Sequence, residues 1–109
     1  MFKSDYNSNE KVLTCTFAGH LDTNSCINLN VEVNARIESI KGPDPADELA
    51  DTKIIFDLKD VSYIASSFIR ICVGAAKQVP KDHFVILNCD PFTKKTFIIA
   101  GLDDVLKVS

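Results

Sequence analysis

Ser66 and Ser67 stand at the head of an apolar, helix-length stretch, and a serine so placed can act in two ways. Its hydroxyl can cap the helix by accepting a hydrogen bond from a backbone N–H two or three residues on. It can also carry a phosphate, whose charge of about −2 would meet free N–H groups and the positive helix end. Arg70, one turn later, could pair with that charge. Asp57 ends an apolar run of strand character, where ligand sites of α/β sheets commonly lie, and Asp22 follows another strand, so the two could approach each other near Ser66. Each could equally cap a helix or a turn. His20 completes a Ser-His-Asp set on paper, but Ser66 lacks the Gly-x-Ser-x-Gly elbow and no glycine-rich oxyanion loop is present. The chain also has no glycine loop able to cradle a nucleotide phosphate. Regulation or binding is therefore favoured over catalysis.

Strand and helix patterns surround these residues. Residues 11–18 alternate Leu13, Cys15 and Phe17 against Val12, Thr14 and Thr16, the period of a strand with one face buried. A shorter strand over residues 2–6 pairs with it across the polar Asn7-Ser8-Asn9 turn. Residues 52–58 form a nearly continuous apolar run, expected of a central strand covered on both faces, and residues 83–87 have the same character. Residues 22–40 fit both an alternating and a helical pattern, but eleven alternating residues exceed the usual strand, and Asp22, Thr23 and Ser25 are good caps. The segment is expected to be a helix, stopped by Gly42-Pro43-Asp44-Pro45, with residues 46–50 an acidic loop or an extra turn. Asp90-Pro91 caps and opens a last helix over residues 91–100, closed by Gly101, with Phe92, Phe97, Ile98 and Leu102 as its core face. Residues 105–108 can add a final strand.

Residues 61–79 read as a short connection into a helix over residues 66–79. At about 100° per residue, Phe68, Ile69, Cys72, Val73, Ala75, Ala76 and Val79 share one side. Ser66, Ser67, Arg70, Ile71, Gly74, Lys77 and Gln78 face outward. Gly74 costs about 1 kcal/mol of helix propensity relative to Ala, and Ile71 leaves an apolar group near solvent. Both suit a surface that meets another protein.

Composition narrows the classes further. A length of 109 residues with 46% hydrophobic residues is one ordinary domain, taken as residues 1–109. The net charge of −3, with cations scattered apart from Lys94-Lys95, offers no phosphate-tracking stripe, so nucleic acid is a poor partner. No run approaches the roughly 20 apolar residues that cross a bilayer, and no signal core follows Met1, so no membrane insertion is expected and the cytoplasm is the expected compartment. Cys15, Cys26, Cys72 and Cys89 lie far apart without metal-site spacing, so free core thiols, no metal and no cofactor are expected.

The order Gly19-His20-Leu21-Asp22-Thr23, then Ile54-Ile55-Phe56-Asp57-Leu58 with Val61, Tyr63-Ile64 and Ser66-Ser67, then Gly101-Leu102-Asp103, resembles the STAS domain of bacterial anti-sigma-factor antagonists along nearly the whole chain. The resemblance implies an α/β domain with a mixed four- to five-stranded sheet covered by helices mainly on one face. It implies a partner-switching protein that does no chemistry, binds an anti-sigma factor or serine kinase, and takes phosphate on the serine matching Ser66. Asp22, Thr23, Ser66, Ser67, Arg70, Ile71 and Gly74 would form the partner-binding face. The family often has Asp or Ser before the phosphoacceptor and Gly two residues after it, where this chain has Ala65 and Phe68. Those departures keep open an alternative, a non-phosphorylated STAS interaction subunit of a stress-sensing or lipid-transport assembly.

Overall fold

The computed structural model describes residues 2–41, 49 and 51–109. Chain order is β1 (Phe2–Asn7), β2 (Val12–Leu21), α1 (Thr23–Ile40), β3 (Lys53–Ile64), α2 (Ser66–Ala76), β4 (Phe84–Leu87) and α3 (Pro91–Ile99). The strands form one mixed sheet in the order β1-β2-β3-β4. β1 and β2 pair antiparallel as the hairpin the Asn7 turn implies, while β2–β3 and β3–β4 are parallel and joined through α1 and α2.

Side-chain alternation divides the sheet into unlike faces. Leu13, Cys15, Phe17, Ile54, Phe56, Leu58, Phe84 and Ile86 are buried in one core with the inner sides of all three helices. Phe17 sits at its centre, with ring centroids 4.9 Å from Phe56 and 5.1 Å from Phe68. On the other face Val12, Thr14, Thr16, Ile55, Asp57 and Val85 are only half-buried. The apolar run of β3 is therefore covered on one face and partly open on the other, because the helices lie on a single side.

The ambiguous residues 22–40 are helical, with Asp22 as N-cap: its carboxylate accepts from the Ser25 N–H at 2.9 Å. Cys26, Leu29, Val33 and Ile37 face the core at helical spacing. The expected stop at Gly42–Pro45 lies outside the described residues, as do residues 46–48 and 50; Leu49 is buried. α3 begins as its sequence implies, with Asp90 capping and Pro91 in the first turn, and Gly101 follows its end at φ 73°.

α2 ends at Ala76, three residues before the expected Val79, with a turn at residues 77–78 leading to Pro80, and four other expectations need correcting. Residues 61–64 are not a connection: β3 runs twelve residues, because Val61, Tyr63 and Ile64 find partners along the equally extended end of β2. Residues 105–108 form no strand; turns carry the chain to a single bridge between Val108 and Ile86. On α3, Phe92 and Ile98 are exposed, and Thr93 joins Phe97 in the core, because the nine-residue helix touches the body through a narrow stripe. Ile71 is buried, only 6% exposed, because α1 closes over that side of α2.

Candidate functional site

β2 and β3 run parallel, so their last residues, Leu21 and Ile64, arrive paired at one end of the sheet. The chain after each turns directly into a helix. The Ala65 N–H donates to the Leu21 carbonyl at 2.9 Å, which ties the start of α2 to the start of α1. This brings the chain at Asp22 and Thr23 next to the chain at Ser66 and Ser67.

Ser66 is the first residue of α2 and is exposed. The capping position belongs to Ala65, which has no side-chain acceptor, so the Ser66 hydroxyl does not cap the helix. The N–H groups of the first turn are left without a side-chain partner at the positive end of the dipole. Arg70 and Gly74 follow Ser66 along the same exposed stripe, and a Cβ at Gly74 would meet no described atom beyond its own turn of helix within 4 Å. Phe68 points away from this surface, fully buried against Phe17 and Phe56, so it does not crowd Ser66.

Between α1 and α2 runs a groove of about 480 Å³ lined by Thr23, Cys26, Ile27, Asn30, Val31, Ser67, Arg70 and Ile71. Ile71 forms part of its floor. The exposed apolar groups of this region are Ile27 and Val31, 64% and 66% exposed on successive turns of α1. In the sequence, Ile27 and Val31 fall within the alternating pattern of residues 22–40. Their signal was there: once the segment is a helix, both fall off the stripe of Cys26, Leu29, Val33 and Ile37.

The remaining chemical groups are committed elsewhere. Asp57 pairs in register with Thr16, seven residues short of the end of β3, so about 23 Å of strand separates it from Ile64. Its carboxylate accepts from the Lys59 N–H at 3.0 Å and the Asn88 amide at 3.1 Å. His20 stacks on Tyr63 with centroids 4.7 Å apart, its Nδ1 3.3 Å from Ser62 Oγ, while Ser62 Oγ donates to the Gly19 carbonyl. No Ser-His-Asp set assembles around Ser66. The Asp22 carboxyl is held below its ordinary value, chiefly by the Ser25 backbone N–H it accepts. Burial pushes the Cys15 thiol up to about 12 and the Cys89 thiol up to about 11, so both stay protonated and unreactive at neutral pH. All four cysteines are free, and no group of three or more metal-ligating side chains gathers among the described residues. No helix among them is long and apolar enough to cross a membrane.

Comparison with known proteins matches residues 3–109 to the STAS domain model. The fold is similar to the anti-sigma factor antagonist SpoIIAA in its unphosphorylated form, with 14% identity, TM-score 0.68, and 100% of this chain and 88% of that one covered. An anti-sigma factor antagonist from Mycobacterium paratuberculosis gives 16% identity and TM-score 0.74, covering 99% of this chain and 85% of that one. The Bacillus cell fate determinant SpoIIAA in its phosphorylated form gives 16% identity and TM-score 0.60, covering 100% and 91%. No curated protein matches the chain by sequence.

Proposed function

The chain belongs to the STAS domain family, and from that premise we propose that it is a partner-switching regulator, an anti-sigma-factor antagonist that docks an anti-sigma factor or serine kinase and lets go when Ser66 is phosphorylated. The observation that carries this reading is the exposed, non-capping Ser66 at the uncapped start of α2. A serine buried or engaged in capping would be closed to a kinase. Solved relatives of the same fold include an anti-sigma factor antagonist in unphosphorylated form and one in phosphorylated form. The docking face comprises Asp22, Thr23, Ser66, Ser67, Arg70 and Gly74, together with Ile27 and Val31 in place of the buried Ile71. Phosphate on Ser66 would add about −2 charge at the centre of that face, repelling an acidic partner surface and adding desolvation cost. The protein itself performs no reaction in this reading, and it works in the cytoplasm.

The test is binding of a partner-switching kinase to Ser66→Asp and Ser66→Ala. Ser66→Ala should bind like the wild type and Ser66→Asp should be released, while both keep their stability within about 1 kcal/mol, because no cap is lost and an acid in the first turn suits the dipole. Equal binding by both variants would sink phosphorylation control. The second reading, a STAS interaction subunit that is never phosphorylated, draws on Ala65, which stands where an acidic neighbour could guide a kinase. Mass spectrometry of Ser66 in protein from its own host separates the two.

A further inference from the structure

The two edges of the sheet are finished differently. β4 is flanked by the chain end, where Ser109 N–H donates to the Ile86 carbonyl and Cys89 N–H to the Ser109 carbonyl. β1 is the opposite edge, and no described residue pairs with its outer side. Such an edge is a template for another strand. Beside it lies a groove of about 470 Å³ between β1 and α1, lined by Phe2, Ser4, Glu32, Ala35, Arg36 and Ser39. The Arg36 guanidinium donates to Ser39 Oγ at 3.3 Å, but its Nε is out of solvent with no hydrogen-bond partner among the described residues. A donor left so is costly unless something else accepts from it.

We propose that β1 pairs antiparallel with β1 of a second copy of this chain, about a two-fold axis through Ser4, joining two sheets edge to edge. The sequence of β1, Phe2-Lys3-Ser4-Asp5-Tyr6-Asn7, is self-complementary in that register. Lys3 comes opposite the partner's Asp5, and Asp5 opposite the partner's Lys3. Phe2 comes opposite the partner's Tyr6, and Tyr6 opposite the partner's Phe2. Opposite charges and aromatic rings are the cross-strand pairs that stabilise antiparallel strands. Moving the axis one residue either way sets Lys3 or Asp5 against its own copy, so the register is specified by charge. The faces also agree: Lys3 and Asp5 are exposed on the open side, and Phe2 and Tyr6 are half-buried on the helix side. The pairing carries the partner's Tyr6 over Phe2 beside the groove. The interface repeats itself about the axis, as a closed dimer requires.

Six residues per strand make a small interface, so the dimer is weak and concentration-dependent. Sedimentation equilibrium from about 1 µM to about 1 mM should show reversible dimerisation. Lys3→Asp or Asp5→Lys alone sets like charges opposite each other twice and should weaken the dimer by about tenfold. The double variant Lys3→Asp with Asp5→Lys restores both pairs in reversed order and should recover wild-type association. All three variants should fold, because Lys3 and Asp5 face only Thr16 and Thr14 on β2. A chain monomeric throughout that range overturns the proposal, as does a dimer indifferent to the single reversals or not rescued by the double one. None of these readouts depends on Ser66, so the outcome is independent of the switching test.

Discussion

Asp22 and Ser66 are two small polar residues at two helix starts, and they have opposite relations to the backbone. Asp22 lies one residue outside its helix and holds the Ser25 N–H. Ser66 lies one residue inside its helix and leaves its hydroxyl to solvent. A shift of one position separates a capping side chain from a hydroxyl left free, and sequence alone could not fix it, since Ala65, Ser66 and Ser67 offer no decisive boundary. The capping role of Asp22 gives a pH prediction. Its folded-state value lies below the ordinary 3.8, so its contribution is present above that value and is lost as pH falls through the folded one. Asp90, which accepts from the Thr93 N–H, behaves alike. Thermal melts should therefore show stability falling below about pH 4. Asp22→Asn keeps an acceptor of similar capping quality that does not titrate, and its melting temperature should fall less steeply over that interval. An identical acid profile for the variant would mean that Asp22 contributes nothing through its charge.

The elements were legible where the hydrophobic period was clear, or where capping residues settled an ambiguous one. The β1–β2 hairpin, α3 and the core stripe of α1 follow from period, caps and turn residues. The extent of β3 was not, because Lys59-Asp60-Val61-Ser62-Tyr63 carries charges and no clean alternation; pairing with the far end of β2 makes it a strand. That end of β2 is irregular, with register shifts between Thr16 and Ala18 and between Gly19 and His20. Gly19 sits there at φ 91°, a conformation that only glycine adopts without strain. Gly74 lies within α2, with open space where a Cβ would stand. The two glycines should respond in opposite directions to the same change. Gly74→Ala should stabilise by about 1 kcal/mol, and Gly19→Ala should destabilise by about 1 kcal/mol or more, both read from urea unfolding. If the proposed docking face is right, Gly19→Ala should also weaken partner binding, since the bulge sets where β2 ends and α1 begins. A variant with wild-type stability would show that the kink needs no glycine.

At the scale of the whole molecule, one core serves both the fold and the surface that the site presents. The sequence marked Phe68 as a departure from the family pattern near the serine, and the folded chain turns that ring inward to fill the space between Phe17 and Phe56. A glycine at that position would leave the core to be filled by other side chains; here a ring does it, and the outer surface of α2 keeps its small residues. Which side of α2 Ile71 joins could not be read from α2 alone, because the answer depends on α1 packing across it. The same dependence makes Phe68 a sensitive test of the arrangement. Phe68→Ala should cost about 3–5 kcal/mol in urea unfolding, a large share of a small domain's stability, because the ring is fully buried among other rings. Phe68→Leu, which keeps most of the volume, should cost clearly less. If Phe68→Leu folds and still docks its partner with wild-type affinity, Phe68 is core and the binding face is the outer stripe. If it folds with near-native stability yet loses the partner, Phe68 touches the partner, and the division of α2 into a buried and a docking side is wrong.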